Sequence, residues 1–249
     1  MNPDAAETAG GTLRALAPSV QFPVTICVLC YGPNANLAER FLESLFRNTD
    51  PSLFLLRAGL NEVEPETHRL FSKYSNRFGN IELFVEPKNI FKNPLMRRMF
   101  HEKPLSSQWT LWCDDDTHFT RPDWLQCLAL KIEAYPNVEM WGWIHVLWRR
   151  DEEILNWIRQ ASWFRGLPFR KGTDLDGNPA VEFRFAPGAF WAIRTKVLYR
   201  LRWPDPRLIQ ANEDFILGEA LRQNGFRLEN FKHGVRVNDA VTRTTSPTR

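Results

Sequence analysis

The chain lacks the glycine-rich phosphate loops of the common nucleotide folds. Neither GxGxxG nor GxxxxGK[ST] occurs in its 249 residues, which argues against dinucleotide enzymes and P-loop NTPases. Any phosphate held here must be neutralised by metal and by side chains. Cysteine is scarce and without framework spacing: Cys27, Cys30, Cys113 and Cys127. The single CxxC, Cys27 to Cys30, lies inside the apolar run Val24 to Tyr31 with no second pair, so it reads as buried strand cysteines rather than a redox or zinc half-site. This usage suggests a reducing compartment. No apolar run approaches a membrane span, and residues 1–20 lack a basic start and an apolar core; the expectation is a soluble cytoplasmic protein with no membrane partner. Glycine and proline, at 13 and 17, exclude collagen-like and low-complexity classes.

Aromatics are abundant, with ten Trp and eighteen Phe. The length suits one large domain that buries most of its apolar surface without staples. We expect one domain over residues 21–240, divided into halves 21–120 and 121–240, between flexible segments 1–20 and 241–249.

The first half alternates strand and helix patterns. Val24 to Tyr31, Leu53 to Leu60, Ile81 to Val85 and Trp109 to Cys113 read as strands. Between them, Leu37, Phe41, Leu42, Leu45 and Phe46 recur at helical spacing, Asn34 or Asn36 offering a cap. A second helix runs from Pro65 to Phe78 and stops at Gly79, and residues 91–103 form a short basic one. Alternation of this kind predicts an α/β fold with a mixed, mostly parallel central sheet flanked by helices. Ligands gather beyond the carboxyl ends of such strands, where the chain offers Tyr31, Asn61 and an acidic cluster. In the second half, Trp124 to Ala134, Asp151 to Phe164 and Asn212 to Asn224 read as helices. Val138 to Trp148 reads as one strand, 165–182 as a loop, and Phe183 to Ile193 as a strand with a turn in it.

The acidic cluster is Asp114-Asp115-Asp116, driven to a sheet rim by Trp109 to Cys113. Three adjacent carboxylates repel, so the fold needs a compensating cation. Hard oxygen ligands of this kind suit Mg²⁺ or Mn²⁺ shared with substrate phosphates. Strand alternation would put Asp114 and Asp116 on one side and Asp115 on the other. A solvated acidic turn is the bland alternative. A second acidic pair, Glu213-Asp214, follows Asn212 and precedes Phe215 and Ile216. It suits a helix first turn, and equally a half-buried general base of raised pKa. His233 is a surface histidine or a third metal ligand, a role for which His118 competes. Arg97 and Arg98 form a basic helix face or a fork for a diphosphate. Residues 141–202 hold 11 Lys/Arg against 6 Asp/Glu and carry Trp141, Trp143, Trp148, Trp157 and Trp163. That pattern fits a core with a solvated basic rim, or a surface that tracks phosphates and stacks on bases.

Four features in order resemble the GT-A glycosyltransferases, especially the family-2-like group: the strand Val24 to Tyr31, the cluster Asp114 to Asp116, the small-residue segment Ala186 to Arg194, and Glu213-Asp214 opening a helix. The resemblance spans residues 22–238. It implies a Rossmann-like GT-A domain whose first half binds a nucleotide-diphosphate sugar, a UDP-sugar foremost, with Mn²⁺ or Mg²⁺. Tyr31, Asn61, Arg97, Arg98, Asp114 and Asp115 would contact the donor. Asp116, Asp114 and His233 would hold the metal. Asp214 would activate the acceptor hydroxyl, with Glu213 as the alternate, and Gly188, Trp191 and Trp143 would line the acceptor side. Asn61 departs from the family, which often has an acidic residue near the nucleotide base.

The segments Leu29-Cys30-Tyr31-Gly32, Arg57 to Val63 and Trp112 to Thr117 further resemble phage-type glycosyltransferases associated with thymine or cytosine dioxygenases. That narrower resemblance implies DNA with hydroxymethylated bases as acceptor, and the host cytoplasm as location if phage-encoded. A glycan or lipid-linked saccharide acceptor, a non-catalytic nucleic-acid-binding module and a metal-dependent nucleotidyltransferase are the alternatives.

Overall fold

A computed structural model describes residues 24–237; the expected flexible ends, 1–20 and 241–249, lie outside the described residues. Along the chain run β1 (Val24–Gly32), α1 (Ala35–Asn48), β2 (Phe54–Val63), α2 (Pro65–Phe78), β3 (Ile81–Glu86), α3 (Lys92–His101), β4 (Trp109–Asp114) and β5 (Thr117–Phe119). Then come α4 (Trp124–Ala134), β6 (Met140–Gly142), β7 (His145–Arg149), α5 (Glu152–Arg159), β8 (Arg170–Thr173), β9 (Pro179–Phe185), β10 (Phe190–Arg194), α6 (Thr195–Leu201), α7 (Glu213–Gln223), β11 (Leu228–Asn230) and β12 (Val235–Val237).

Seven strands form the central sheet in the order β11-β6-β10-β4-β1-β2-β3. β1 is parallel to β2 and β4, β2 to β3, and β6 to β11; β10 alone runs antiparallel to its neighbours β4 and β6. The expected mixed, mostly parallel sheet is therefore present. β1 is central and covered on both faces, which explains its unbroken apolar run. Its Val24, Ile26, Val28 and Cys30 enter the layer under α1, α2 and α4, while Cys27 and Leu29 enter the layer under α3, α6 and α7. Cys27 and Cys30 thus face opposite sides of the sheet, and all four cysteines are free thiols. Burial pushes the Cys27 thiol up to about 12, so it is an inert apolar filler.

Two features of β2 set the position of α3. A Cβ on Gly59 would meet Met99 Sδ at 2.8 Å and Leu95 Cδ2 at 2.9 Å, so the missing side chain lets the helix lie close to the sheet. Arg57, 2% exposed, donates to Glu82 at 2.9 Å and to the carbonyls of Met99, Lys103 and Pro104 at 2.6, 2.8 and 3.1 Å. The guanidinium satisfies carbonyls at and beyond the carboxyl end of α3, where a cation is favoured. Pinned at that end, α3 presents its first residue, Lys92, at the carboxyl edge of the sheet.

The second half departs from expectation in several places, and Phe183 to Ile193, expected as one strand with a turn in it, divides between β9 of a small sheet and β10 of the central one. Met140–Gly142 joins the central sheet, whereas His145–Arg149 leaves it for a separate antiparallel sheet, β7-β9-β8. Trp143 and Ile144, between them, carry the change of sheet. The expected loop 165–182 contains the hairpin of β8 and β9, turned by Asp174 to Asn178, where the Asp174 carboxylate accepts from the N–H groups of Asp176 and Asn178 at 3.0 and 2.9 Å. Among the described residues β5 pairs with β12 alone, in a two-stranded sheet that follows the acidic cluster in the chain.

Candidate active site

β4 reads WTLWCD, and alternation decides which layer each residue enters. Trp109, Leu111 and Cys113 enter the α1/α4 layer, and Trp112 enters the α3/α7 layer. Asp114 follows Trp112 on that same side, and Trp112 Nε1 donates to Asp114 Oδ1 at 3.2 Å. Alternation ends there. Asp115 and Asp116 form the turn into β5 and are tucked in, at 1% and 5% exposure. The expected pairing of Asp114 with Asp116 across one strand face is thus replaced by a strand-end carboxylate and two turn carboxylates. The turn is anchored on both sides: Asp114 N–H donates to the Ala189 carbonyl at 3.3 Å, Thr117 Oγ1 donates to the same carbonyl, and Arg40 donates to the Asp116 carbonyl at 2.8 Å.

Lys92 faces Asp114. Its ammonium lies 3.1 Å from Asp114 Oδ1 and 3.0 Å from Glu213 Oε1, and 5.7 Å above the Trp112 ring. Asp214 completes the group from the next position of α7, accepting from the Gly188 N–H. Gly188 is where these parts meet: a Cβ there would fall 2.3 Å from Lys92 Nζ and 3.0 Å from Asp214 Oδ1. Asn212, at the N-cap of α7, has a φ of 64° and makes no side-chain capping hydrogen bond. α7 instead opens with Glu213 and Asp214 in its first turn, where the macrodipole favours carboxylates.

The electrostatics separate the two carboxylates. Burial works to raise Glu213, but Lys92 beside it, with backbone and Asn93 hydrogen bonds, holds it below the usual range. Burial dominates at Asp214; Lys92 and the Gly188 N–H oppose it, Glu213 and Asp114 reinforce it, and the carboxyl rises to about 7. Burial of Lys92 is outweighed by Asp114, Glu213 and Asp214, so its pKa is raised and it stays charged. One fixed ammonium thus serves three carboxylates. The imbalance is of the size a divalent cation balances, and all the donors are hard oxygens, so the residues present fit Mg²⁺ or Mn²⁺.

A cleft of about 280 Å³ opens beside this group at the carboxyl ends of β1, β2 and β4. Leu29 and Tyr31 line it from β1, Asn61 from β2, Asn89 to Lys92 in part from the loop into α3, and Gln210 and Ala211 from the loop before α7. Asn61 is spent on building its wall: its amide donates to Asn89 Oδ1 at 2.9 Å and its carbonyl accepts from Ile90 N–H at 3.0 Å. Phe91 and Ala211 adopt φ of 67° and 61°, conformations that non-glycine residues hold only when the surroundings enforce them.

Other expected site residues fall elsewhere. Arg98 pairs with Glu86 and with Glu102 at 2.8 Å, and Arg97 faces Asp205. Both lie down α3 from the cleft, because only the first residue of that helix reaches the sheet edge. Trp191 is 1% exposed and stacks on Trp112 with centroids 6.1 Å apart, so it stiffens the wall behind Asp114 rather than touching an acceptor. Asp115, equally buried, lines no part of the cleft. His233 lies by Asp123, at 3.0 Å, on the first turn of α4, and does not join Asp114; His118 sits in β5, paired in register with Arg236. Trp143 is half-exposed with Lys232 Nζ 5.3 Å over its ring. Lys92 escaped the sequence reading; its signal was a lysine at the first position of a helix entered straight from a strand-end loop.

Sheet order and site together define an α/β domain of the GT-A type. No family model and no curated relative matches the sequence. Solved structures do. The chain superposes on the mannosyltransferase PcManGT from Pyrobaculum calidifontis, in complex with GDP-Man and Mn²⁺, with a TM-score of 0.57 at 15% identity, over 87% of this chain and 56% of that one. It superposes on residues 1–349 of S. aureus TarS with a TM-score of 0.55 at 15% identity, over 84% and 58%. For the UDP-GlcNAc complex of that protein the TM-score is 0.54 at 14% identity, over 88% and 59%. The likeness is one of fold: this chain has the GT-A glycosyltransferase fold and spans a little over half the length of these structures.

Proposed function

We propose that this protein transfers a sugar from a nucleotide-diphosphate donor to an acceptor hydroxyl. The observation that carries the reading is the convergence of Lys92, Asp114, Glu213 and Asp214 at the mouth of the strand-end cleft. The nucleotide would lie in the cleft between Tyr31, Asn61 and Phe91. The first turn of α3 would face the diphosphate with its positive dipole end and with Lys92. A divalent ion held by Asp114 with Asp116 would supply further charge compensation for the leaving diphosphate. Asp214 would accept the proton of the acceptor hydroxyl. As that proton leaves, the acceptor oxygen bonds to the anomeric carbon and the bond from that carbon to the diphosphate oxygen breaks, releasing the nucleoside diphosphate. A base poised near neutrality suits this work, and Gly188 holds the carboxylate in place through its N–H.

For the acceptor, the finer reading is a 5-hydroxymethylpyrimidine in DNA. Its support is the small sheet β7-β9-β8, which packs on α7 through Phe183 and Phe185 against Phe215 at 5.0 and 6.4 Å. That sheet and its flank present exposed Arg150, Arg170, Lys171 and Arg184, with Arg170 and Arg184 lying against Gly218 and Glu219 of α7, a basic distribution suited to phosphates. Trp143 offers a half-exposed ring for a base taken out of the stack.

The test is donor binding by titration calorimetry with a panel of GDP- and UDP-sugars and Mn²⁺. Binding that needs Mn²⁺ and weakens at least about tenfold in Asp114→Asn supports the reading; binding indifferent to both removes it. For the acceptor, binding to hydroxymethylated DNA that falls steeply with salt is expected, and no binding at low salt would rule DNA out.

A further inference from the structure

His233 belongs to a second cluster. Asp123, Cys127 and His233 bring a carboxylate oxygen, a sulfur and an imidazole nitrogen within 4.8 Å of one another. His233 Nε2 is 3.0 Å from Asp123 Oδ1, and Cys127 Sγ is 3.9 Å from Asp123 Oδ2. We propose that these three residues bind a zinc-class transition ion, at a site separate from the acidic cleft and independent of the sugar-transfer reading.

The cluster is built rather than incidental. Asp123 stands at the N-cap of α4, the place where an aspartate ordinarily accepts from the helix N–H groups. It makes no such bond; its carboxylate turns to His233 instead. The loop carrying His233 is docked on this turn. The Gly234 carbonyl accepts from Thr120 N–H at 2.9 Å, and a Cβ on Gly234 would meet Trp124 Cβ at 2.7 Å and Arg121 Cβ at 3.1 Å. Two ligands thus come one helical turn apart from α4, and the third comes from a loop held against it.

The donor set names the metal class. A mixed O, N and S set is poor for Mg²⁺ and good for Zn²⁺ and its neighbours. Metal–ligand bonds of about 2.0–2.3 Å imply ligand separations of about 3.3–3.8 Å around a tetrahedral ion, so the widest pair closes by about 1 Å. Cys127 and His233 also line the hollow formed by Leu130, Tyr135 and Phe231, from which water would complete the shell. Cys127 would bind as thiolate, its proton passing to solvent on uptake. The competing cation is Arg121, 3.1 Å from Asp123 but 58% exposed, a pairing weak enough to be displaced. Because β12 follows His233 and pairs with β5, the ion would tie α4 to the strand that leaves the Asp114 to Asp116 turn.

The test loads the full chain with Zn²⁺, dialyses it and measures bound metal by mass spectrometry. Stoichiometric zinc is expected in the wild type and in Asp114→Asn. Cys127→Ser and His233→Ala should each weaken binding at least about tenfold. With Co²⁺ in place of Zn²⁺, the wild type should show thiolate-to-metal charge-transfer absorption that Cys127→Ser abolishes. Arg121→Gln, which removes the competing cation and should leave the fold intact, should tighten binding. Absence of retained zinc in the wild type, or zinc uptake unchanged by Cys127→Ser and His233→Ala, overturns the proposal, as does weaker binding in Arg121→Gln.

Discussion

Lys92 opposes the burial that raises the Asp214 carboxyl, and neutralising it should move the pH profile in a direction fixed by the geometry. A single hypothetical Cβ on Gly188 lies 2.3 Å from the Lys92 ammonium and 3.0 Å from Asp214 Oδ1. At a separation of about 5 Å and an effective dielectric of about 20, opposite unit charges attract by about 3 kcal/mol, or about 2 pKa units. The Lys92 side chain is 20% exposed, and solvent screening brings this to about 1–2 units. Asp214 acts as a base only when ionised, so the acid limb of kcat/KM should lie near its pKa of about 7. Lys92→Met removes the charge that favours ionisation and should move the limb up to about 8–9. Glu213→Gln removes a like charge and should move it down. Lys92→Arg should leave it near its original position. The assay is the pH dependence of sugar transfer at limiting donor, with donor hydrolysis as a second readout. Limbs that stay fixed, or that move together in Lys92→Met and Glu213→Gln, would refute the assignment of Asp214 as the titrating base.

The raised Asp214 pKa also predicts a stability trade. The folded state holds the Asp214 proton more tightly than the unfolded chain, so stability falls as pH rises from about 4 through 7. Asp214→Asn should therefore melt about 2–6 °C above the wild type at pH 8, with the gap closing toward pH 4, while transfer is lost; equal melting at pH 8 would contradict the burial argument. Gly188→Ala should lower transfer about 10- to 100-fold by displacing Lys92 and Asp214, with little change in melting temperature; unaltered kinetics would mean that the close approach at Gly188 is unimportant. Arg57→Met strands three carbonyls and leaves Glu82 with Lys103 alone, and should cost about 3–5 kcal/mol in denaturant unfolding; a loss below about 1 kcal/mol would show that the guanidinium does not anchor α3.

Much of the first half was legible because β1, β2 and β4 are covered on both faces. An unbroken apolar run bounded by Gly32 and Pro33, or by the Asp cluster, leaves little choice of structure. The cluster's place at a strand end followed from the same logic, but the alternation rule failed at Asp115, since a period of two holds only while the strand lasts. Lys92 was hidden because a lysine in a basic stretch carries no mark of the sheet edge it meets. Tryptophans were ambiguous for a different reason. Trp141, Trp163 and Trp191 are core and Trp157 lies under Arg207 at 3.9 Å, yet a buried indole and a base-stacking indole look alike in sequence. His233 could not be paired with Asp123 from spacing, because 110 residues separate them. The hairpin within 165–182 was masked by its Gly, Pro and Asp content, which signals its turn more strongly than its strands.

The central claim is sugar transfer with Asp214 as the base. It is tested most directly by mass spectrometry of DNA carrying hydroxymethylcytosine or hydroxymethyluracil, incubated with the protein, Mn²⁺ and a panel of nucleotide sugars, beside Asp214→Asn. A mass increase of one sugar residue on the modified base with the wild type, absent with Asp214→Asn although that variant still binds the donor, is the predicted result. The same mass increase in both proteins would contradict the role of Asp214, and no transfer to DNA, glycan or lipid-linked acceptors from any donor would contradict the activity itself.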